Sequence, residues 1–382
     1  MDDSSNVAIN GERLLTTGGL ILPMAIAMFM GFILTPLAIG IAVRWKIVEK
    51  PNGRTSREIA HIGGVAIIGS IVFALIPVFL FSLQGNPVNR AFLPVFIASG
   101  FLIFLLGIID DLRSLHYMYK LLFQITVSIF VSAGGLGLLE HFGIVRLTLL
   151  PALAAFAATS VWMLTVTTSF NLIDGIDGLA AGISVISAGA FAVAGWLAGV
   201  PMVTVLSVVV LGASLAFLRF NFPPARIFMG DSGSLFLGLM FGLISLLLLV
   251  PGEGLLHRAA GSFFILSIPL LDTVLAFLRR VMTGRPPFEA DHMHIHHILL
   301  FGCGSTRSVD VVLWSLSAVF GVLGVLTLLG STAALIASAG LQAVVFILAL
   351  KRMVNFDMSR EKAEEILSSC GVSSSSMAVH RD

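Results

Sequence analysis

Residues 170–179 read Phe-Asn-Leu-Ile-Asp-Gly-Ile-Asp-Gly-Leu, and they separate two apolar runs that are each long enough to cross a bilayer. The stretch places one amide, Asn171, and two carboxylates, Asp174 and Asp177, at the junction of two predicted helices. Because an unpaired carboxylate is costly in hydrocarbon, we expect acids at this position to have a function. Three further polar segments interrupt apolar runs in a similar way, and they are residues 109–112, 229–233 and 292–297.

The composition is that of a membrane protein. Hydrophobic residues make up 57% of the chain and charged residues only 11%, whereas a soluble domain has about 25% charged residues. We therefore predict an all-α polytopic membrane protein with about 11 transmembrane helices. The predicted spans lie near residues 19–43, 62–83, 91–109, 118–139, 149–170, 177–198, 200–218, 234–251, 260–279, 310–330 and 332–350.

The distribution of basic residues predicts the orientation. Of the 22 Lys and Arg residues, all but four fall in the connections on one side of these spans, and the exceptions are Arg13, Arg90, Arg146 and Arg258. By the positive-inside rule the basic side is cytoplasmic, so the N-terminus is predicted outside and the C-terminus in the cytoplasm. All four polar segments then lie on the cytoplasmic side, and any chemistry there would use cytoplasmic material.

The ends of the chain are predicted to flank a single membrane domain. Residues 1–18 form an extracytoplasmic segment without the basic region of a signal peptide, residues 19–350 the membrane domain, and residues 351–382 a cytoplasmic tail with a charged helix and a Ser-rich run. Cys303 and Cys370 lack disulfide or zinc spacing, and a net charge of +1 argues against nucleic acid as a partner.

The acidic segments have both functional and structural interpretations. Asp110 and Asp111 end the third span, and neighbours on a helix point about 100° apart, so at most one is expected to reach a shared ligand directly. The alternative is a solvated helix end. Asp174 and Asp177 are three residues apart and would share one face of a helical turn, where they could serve a phosphate site or simply cap the sixth helix.

The remaining two segments suggest a cation and an anion. Asp231 stands among small residues, as a site for hydrated Mg²⁺ requires, although the same pattern makes ordinary turns. His292, His294, His296 and His297 could hold zinc, but we favour hydrogen bonding to phosphate or sugar, because Arg285 and other basic residues stand nearby. Asp272, inside the ninth span, is interpreted as a structural or supporting residue. Acids for Mg²⁺ and bases for phosphate at one membrane face indicate phosphoryl transfer between a soluble donor and a lipid acceptor.

The same residues carry a family resemblance. Asp110-Asp111, the 171–179 stretch, the Phe-Met-Gly-Asp-Ser-Gly-Ser run around Asp231 and the His-Ile-His-His run at 294–297 resemble the polyprenyl-phosphate N-acetylhexosamine-1-phosphate transferases, from about residue 44 to about residue 300. The resemblance implies a multi-pass enzyme of the plasma (inner) membrane. It implies transfer of a sugar phosphate, most simply GlcNAc-1-phosphate, from a UDP-sugar to undecaprenyl phosphate with release of UMP, at the start of a cell-envelope polysaccharide such as O-antigen.

The resemblance also implies residue roles. Asp110, Asp111, Asp174, Asp177 and Asp231 would be catalytic, with Asp231 and Asp110 as ligands of Mg²⁺, or of Mn²⁺ in its place. The substrates would contact Lys120, Asn171, His292, His294, His296, His297 and Arg285. The pattern departs from the family at His292, where an Arg is expected after Asp291.

Several alternatives stay open at this point. Asp110 could deprotonate the lipid phosphate, or it could organise metal and water, because a phosphate monoester with a second pKa of about 6 is already largely ionised near pH 7. The donor could carry GalNAc, FucNAc, QuiNAc or MurNAc-pentapeptide instead of GlcNAc. A membrane transporter is the rival from another class, and a homodimer is compatible with the sequence.

Overall fold

The computed structural model is built almost wholly of helices. It describes residues 17–49, 58–82, 87–141, 149–249, 254–282, 294–303 and 305–369. Within these ranges the helices are α1 (Thr17–Trp45), α2 (Gly63–Ser82), α3 (Pro87–Arg113), α4 (Tyr117–His141), α5 (Leu149–Ile173), α6 (Leu179–Leu197), α7 (Pro201–Asn221), α8 (Gly230–Leu247), α9 (Leu255–Ile265), α10 (Ser267–Met282), α11 (Ile295–Cys303), α12 (Thr306–Leu328) and α13 (Thr332–Ser369).

Ten of the helices in the described ranges are long and apolar enough to cross a membrane, and there are up to eleven if the bent pair α9–α10 counts as one span. The all-α polytopic fold predicted from the sequence is therefore confirmed. Large apolar side chains on the outer helices face outward, including Phe29 and Ile336, which are 60% and 71% exposed, as a lipid-facing surface requires. The orientation of the termini stays a prediction.

The ninth predicted span is bent. Helices α9 and α10 meet at an angle of 77°, and Leu266 between them leaves helical geometry. Pro269 explains the break, because in a continuous helix its ring would clash with the carbonyl of Ile265. That freed carbonyl accepts a hydrogen bond from the Ser187 hydroxyl at 3.4 Å.

Two helix boundaries differ from the sequence prediction. Helix α8 begins at Gly230, four residues before the predicted span, so Asp231 lies in its first turn rather than in a preceding loop. Helix α13 continues without interruption from the last span to Ser369, so the predicted charged helix of the tail is an extension of that span. Neither Pro nor Gly stands between Leu350 and Ser369 to break it.

A short hairpin ties the start of α2 to the start of α8. Strand β1 (Val48–Glu49) pairs antiparallel with β2 (Ile59–Ala60), and Ala60 also bridges Ile227 in parallel. The backbone N–H groups of Gly63 and Gly64 donate to the carbonyls of Phe228 and Met229, at 3.0 and 2.7 Å. The loop that leads into Asp231 is therefore held by backbone bonds on one side.

Helix α8 is the most completely buried of the spans. It packs against α2, α3 and α5, and the rings of Phe170 on α5 and Phe241 on α8 stack 4.7 Å apart. Gly107 allows α3 to lie close to α8, because a Cβ at this position would overlap the backbone of Ser232. Asp231 is thus carried on a rigid element at the centre of the fold.

Candidate active site

Asp231 is the point at which separate polar segments meet. Its Oδ1 accepts a hydrogen bond from Asn171 Nδ2 at 3.0 Å, and its Oδ2 pairs with the Lys120 ammonium. Lys120 Nζ also lies 2.6 Å from Oδ2 of Asp110. Residues from α3, α4, α5 and α8 therefore converge at one end of these helices, as the sequence predicts for one site.

The Asp110 carboxylate is held from two sides. Its Oδ1 accepts the backbone N–H of Leu115 at 2.6 Å, which fixes the turn after α3, and its Oδ2 faces Lys120. The side chain is 10% exposed, compared with 24% for Asp231. Asp110 is thus oriented toward the shared ammonium.

Asp111 has a different position from its neighbour. Its carboxylate accepts the backbone N–H groups of Asp231 and Ser232, at 2.6 and 3.2 Å, and the Ser232 hydroxyl at 2.5 Å. It therefore serves as the N-terminal cap of α8, supplied from another helix. Gly230 makes room for it with φ of +72°, and a Cβ there would come within 2.7 Å of Asp111 Oδ1. The Asp111 side chain is 1% exposed, and it holds the backbone of Asp231 rather than its carboxylate.

His61 joins this cluster from the hairpin, although it was not among the predicted site residues. Its Nε2 lies 3.8 Å from Asp111 Oδ1, and its Nδ1 lies 3.7 Å from Glu49 Oε2. The nearby Glu49 carboxylate raises the pKa of His61, with a smaller contribution from the charge of Asp111 and against the effect of burial. Because the pairing runs through a hairpin, only the fold brings these residues together.

The turn between α5 and α6 carries the two acids of the opening stretch. Burial raises the pKa of Asp174 to about 8, and the charge of Asp231 adds to this. Asp177 Oδ2 accepts the backbone N–H of Ala225 at 2.9 Å, and burial raises its pKa. Gly178, with φ of +80°, is the residue before α6 and has no side-chain cap, so the helix-capping interpretation of the two acids is wrong.

The histidine run lies against this turn. Asp272 Oδ2 is 2.8 Å from His294 Nδ1, and Asp272 Oδ1 accepts the backbone N–H of Ile295 at 2.7 Å. His296 is fully buried, and its ring occupies the space that a Cβ on Gly175 would need. The rings of His296 and His297 are 4.2 Å apart. The supporting role predicted for Asp272 therefore corresponds to two contacts that hold the start of the histidine run.

Two of the predicted substrate contacts, His292 and Arg285, lie outside the described residues. Within the described part of the chain, no group of three or more His, Cys, Asp or Glu side chains is placed to hold a metal ion. The zinc interpretation of the histidine run thus gains no support, since His294 directs Nδ1 at Asp272.

The donor chemistry around Lys120 suits a hard cation better. Asp110 and Asp231 each turn one carboxylate oxygen toward a single shared position, which the Lys120 ammonium fills. Mg²⁺ is commonly bound by one or two carboxylates, with water and substrate phosphates completing its shell. The two carboxylates are therefore of the type and number that Mg²⁺ or Mn²⁺ takes.

One acid near the site was not among the predicted site residues. Asp310, on α12, is fully buried, and neither of its carboxylate oxygens has a hydrogen-bond partner within the described ranges. Its Oδ2 lies 3.2 Å from where a Cβ on Gly178 would stand. The available signal was an acid at the edge of the predicted span 310–330, whereas Asp272 stands inside its span.

Comparison with known proteins gives one family. Residues 93–249 match the model described as glycosyl transferase family 4. The chain is 34% identical over 310 residues to a Bacillus subtilis protein named probable undecaprenyl-phosphate N-acetylglucosaminyl 1-phosphate transferase, covering 78% of this chain and 84% of that protein.

Two further relatives widen the comparison. A decaprenyl-phosphate N-acetylglucosaminephosphotransferase of Mycolicibacterium smegmatis is 33% identical, with 74% of this chain and 76% of that one covered. A phospho-N-acetylmuramoyl-pentapeptide-transferase of Staphylococcus aureus is 29% identical, with 78% and 96% covered. The matched region includes Asp110, Asn171 and Asp231, and the chain belongs to glycosyl transferase family 4, the family of the polyprenyl-phosphate N-acetylhexosamine-1-phosphate transferases.

Proposed function

We propose that this membrane enzyme transfers N-acetylhexosamine-1-phosphate, with GlcNAc-1-phosphate as the preferred group, from a UDP-sugar to undecaprenyl phosphate. The reaction would take place at the cytoplasmic face of the plasma membrane and release UMP. The observation that carries the proposal is the cluster of Asp110, Lys120, Asn171 and Asp231, which four helices bring together at one end of the bundle. Family membership supports the same reaction.

The chemistry is a displacement at phosphorus. An oxygen of the lipid phosphate forms a new bond to the sugar-bearing phosphorus of the donor, and the bond from that phosphorus to the bridging oxygen breaks, so UMP leaves with that oxygen. The lipid phosphate has a second pKa of about 6 and is largely ionised near pH 7, so the step does not need a strong base. We assign Asp110 to organising the divalent ion and the incoming phosphate rather than to removing a proton.

Mg²⁺, when bound by Asp231 and Asp110, would neutralise charge on the diphosphate oxygens. Asn171 holds Asp231 at one oxygen, and Asp111 holds the first turn of α8, so the acid that would bind the ion is fixed before any ligand arrives. Such preorganisation is the main protein contribution in phosphoryl transfer.

The histidine run supplies donors on the other side of the turn. His296 packs on Gly175, next to Asp174, and His294 is oriented by Asp272. We assign His294, His296 and His297 to the diphosphate or the sugar of the donor, with His292 and Arg285 as further candidate contacts. Imidazole N–H groups suit both phosphate oxygens and sugar hydroxyls.

The relatives support GlcNAc as the transferred sugar. Of the three relatives described above, the two named for N-acetylglucosamine are 34% and 33% identical to this chain and the muramoyl-pentapeptide relative is 29% identical, although an N-acetylglucosaminyl 1-phosphate transferase of Yersinia pestis is also 29% identical. GalNAc, FucNAc, QuiNAc and MurNAc-pentapeptide remain the competing donor groups. The rates of UMP release from the different UDP-sugars distinguish among them.

The test is UMP release by the purified full-length protein. Undecaprenyl phosphate is supplied with each UDP-sugar in turn, in Mg²⁺, in Mn²⁺ and in EDTA. We expect UMP to require the lipid and the divalent ion, to be fastest with UDP-GlcNAc, and to be lost in Asp231→Asn. A folded protein that releases no UMP from any of these donors would overturn the proposal and favour a transporter.

A further inference from the structure

Lys120 occupies a position that the proposed function assigns to a metal ion. Its Nζ lies 2.6 Å from Asp110 Oδ2 and pairs at the same time with Asp231 Oδ2. The lysine side chain is 21% exposed, so most of it is withdrawn from water. It contacts both of the carboxylates that would bind Mg²⁺.

The other oxygen of each carboxylate accepts a hydrogen bond from an uncharged donor. Asp110 Oδ1 accepts the backbone N–H of Leu115, and Asp231 Oδ1 accepts the amide of Asn171. The two Oδ2 atoms are the oxygens on which the cationic contacts are made, and both are directed at Lys120. A divalent ion that binds these two oxygens must take the place of the ammonium.

The two cations exclude one another for electrostatic reasons. An ammonium and a divalent ion that contact the same pair of oxygens would be separated by only about 3–4 Å, and like charges at that distance repel strongly in a partly buried site. A lysine side chain can yield, because its ammonium ends a flexible four-carbon stem. Lys120 stands in the first turn of α4, beside the site, so a change of rotamer is enough to move the charge.

We propose that Lys120 is an internal counter-ion that holds the metal position of the unloaded enzyme, and that the divalent ion displaces its ammonium toward the donor diphosphate. The inference rests on the proposed function, because it takes Asp110 and Asp231 as the metal ligands. It predicts that metal and donor bind cooperatively. The metal frees the ammonium, the diphosphate then gives the ammonium a new partner, and each ligand must raise the affinity for the other by the same factor.

The first test is binding of Mn²⁺ alone, followed by the loss of its free EPR signal as full-length protein is added. Lys120→Gln removes the competing charge and should bind Mn²⁺ at least about tenfold more tightly than the wild type. Lys120→Arg keeps a charge there and should stay close to the wild type. Lys351→Gln removes the same charge from an exposed position on α13 and should leave the Kd unchanged.

A second measurement uses the wild-type protein and does not depend on a folded variant. Amine acetylation is followed by mass spectrometry at Lys120, with Lys351 as the internal reference. Saturating Mn²⁺ should raise the labelling of Lys120 several-fold and leave Lys351 unchanged, because the displaced ammonium loses its two carboxylate partners.

The outcomes separate this inference from the proposed function. Equal or weaker Mn²⁺ binding by folded Lys120→Gln would overturn the inference, and so would unchanged Lys120 labelling at saturating Mn²⁺. A protein that shows either result and still releases UMP in Mg²⁺ retains the proposed function. If the protein gives the expected Mn²⁺ result but releases no UMP, the counter-ion inference stands and the proposed transferase function is overturned.

Discussion

Asp272 holds His294 through a 2.8 Å contact between carboxylate Oδ2 and imidazole Nδ1, and its other oxygen accepts the backbone N–H of Ile295 at 2.7 Å. The acid lies on α10, after the bend from α9, and the histidine immediately precedes α11. One carboxylate thus joins a bent transmembrane pair to the histidine run. An ionised Asp272 accepts from Nδ1–H, which leaves His294 Nε2 as the ring nitrogen that can serve a substrate.

Removal of this carboxylate should uncouple the histidine run from the acids. We expect Asp272→Ala to lower UMP release about 10–100-fold and to destabilise the protein by about 1–3 kcal/mol, because the buried partners of Asp272 lose their acceptor. A double-mutant cycle with His294→Ala checks the connection, since residues in one network are not additive. Additive losses would mean that Asp272 acts elsewhere.

The contact between Gly175 and His296 gives a sharper test of the histidine run. In Gly175→Ala the new Cβ would overlap the imidazole of His296, which must then move. Since a displacement of about 1 Å can cost about 100-fold in rate, we expect a loss of that order in kcat. Gly189→Ala is the matched control, because its Cβ meets no atom within 4 Å. Equal activity in the two variants would exclude a role for His296 at the site.

The close approach of α3 and α8 should be equally sensitive. A Cβ in Gly107→Ala would overlap the backbone of Ser232, next to Asp231, and overpacking typically costs about 1–3 kcal/mol. We expect a lower Tm in detergent and a large loss of UMP release, because the first turn of α8 must shift. Gly40→Ala on α1, with no atom within 4 Å of the new Cβ, should match the wild type in both measurements. A Gly107→Ala protein with unchanged Tm would show that α3 and α8 are packed less tightly at this point than the structure indicates.

Asp174 should make the stability depend on pH. Burial raises the pKa of Asp174 from 3.8 to about 8, so the folded protein holds this proton more tightly than the unfolded chain. Its contribution to stability is therefore full below about pH 4 and is lost as pH rises to about 8. In metal-free buffer, the Tm of the wild type should fall relative to Asp174→Asn across this range. A difference in Tm that does not change with pH would contradict a raised pKa.

The sequence predicted the residues of the candidate site better than it predicted the residues that support them. Asp110, Lys120, Asn171 and Asp231 were identifiable because each interrupts an apolar pattern or matches a family motif, and the structure brings them together. The part played by Asp111 was not predictable, since two adjacent acids on a helix end look alike until their partner is known.

Contacts between distant elements account for the other differences. The start of α8 at Gly230 depends on a cap from α3, and the position of His61 depends on the hairpin that places it beside Glu49. Neither leaves a local pattern in the sequence. The bend at Leu266 does have a local signal in the sequence, because Pro269 stands in the middle of the predicted span.

The most direct measurement follows the sugar-bearing phosphorus itself. UDP-GlcNAc labelled with ³²P at the β-phosphate is incubated with the full-length protein, undecaprenyl phosphate and Mg²⁺, and the lipid and nucleotide fractions are separated. Transfer of the sugar phosphate predicts that the label enters the lipid fraction and that unlabelled UMP appears, with neither product in Asp231→Asn. Label that remains in the nucleotide as UDP while the lipid gains sugar would contradict attack at phosphorus.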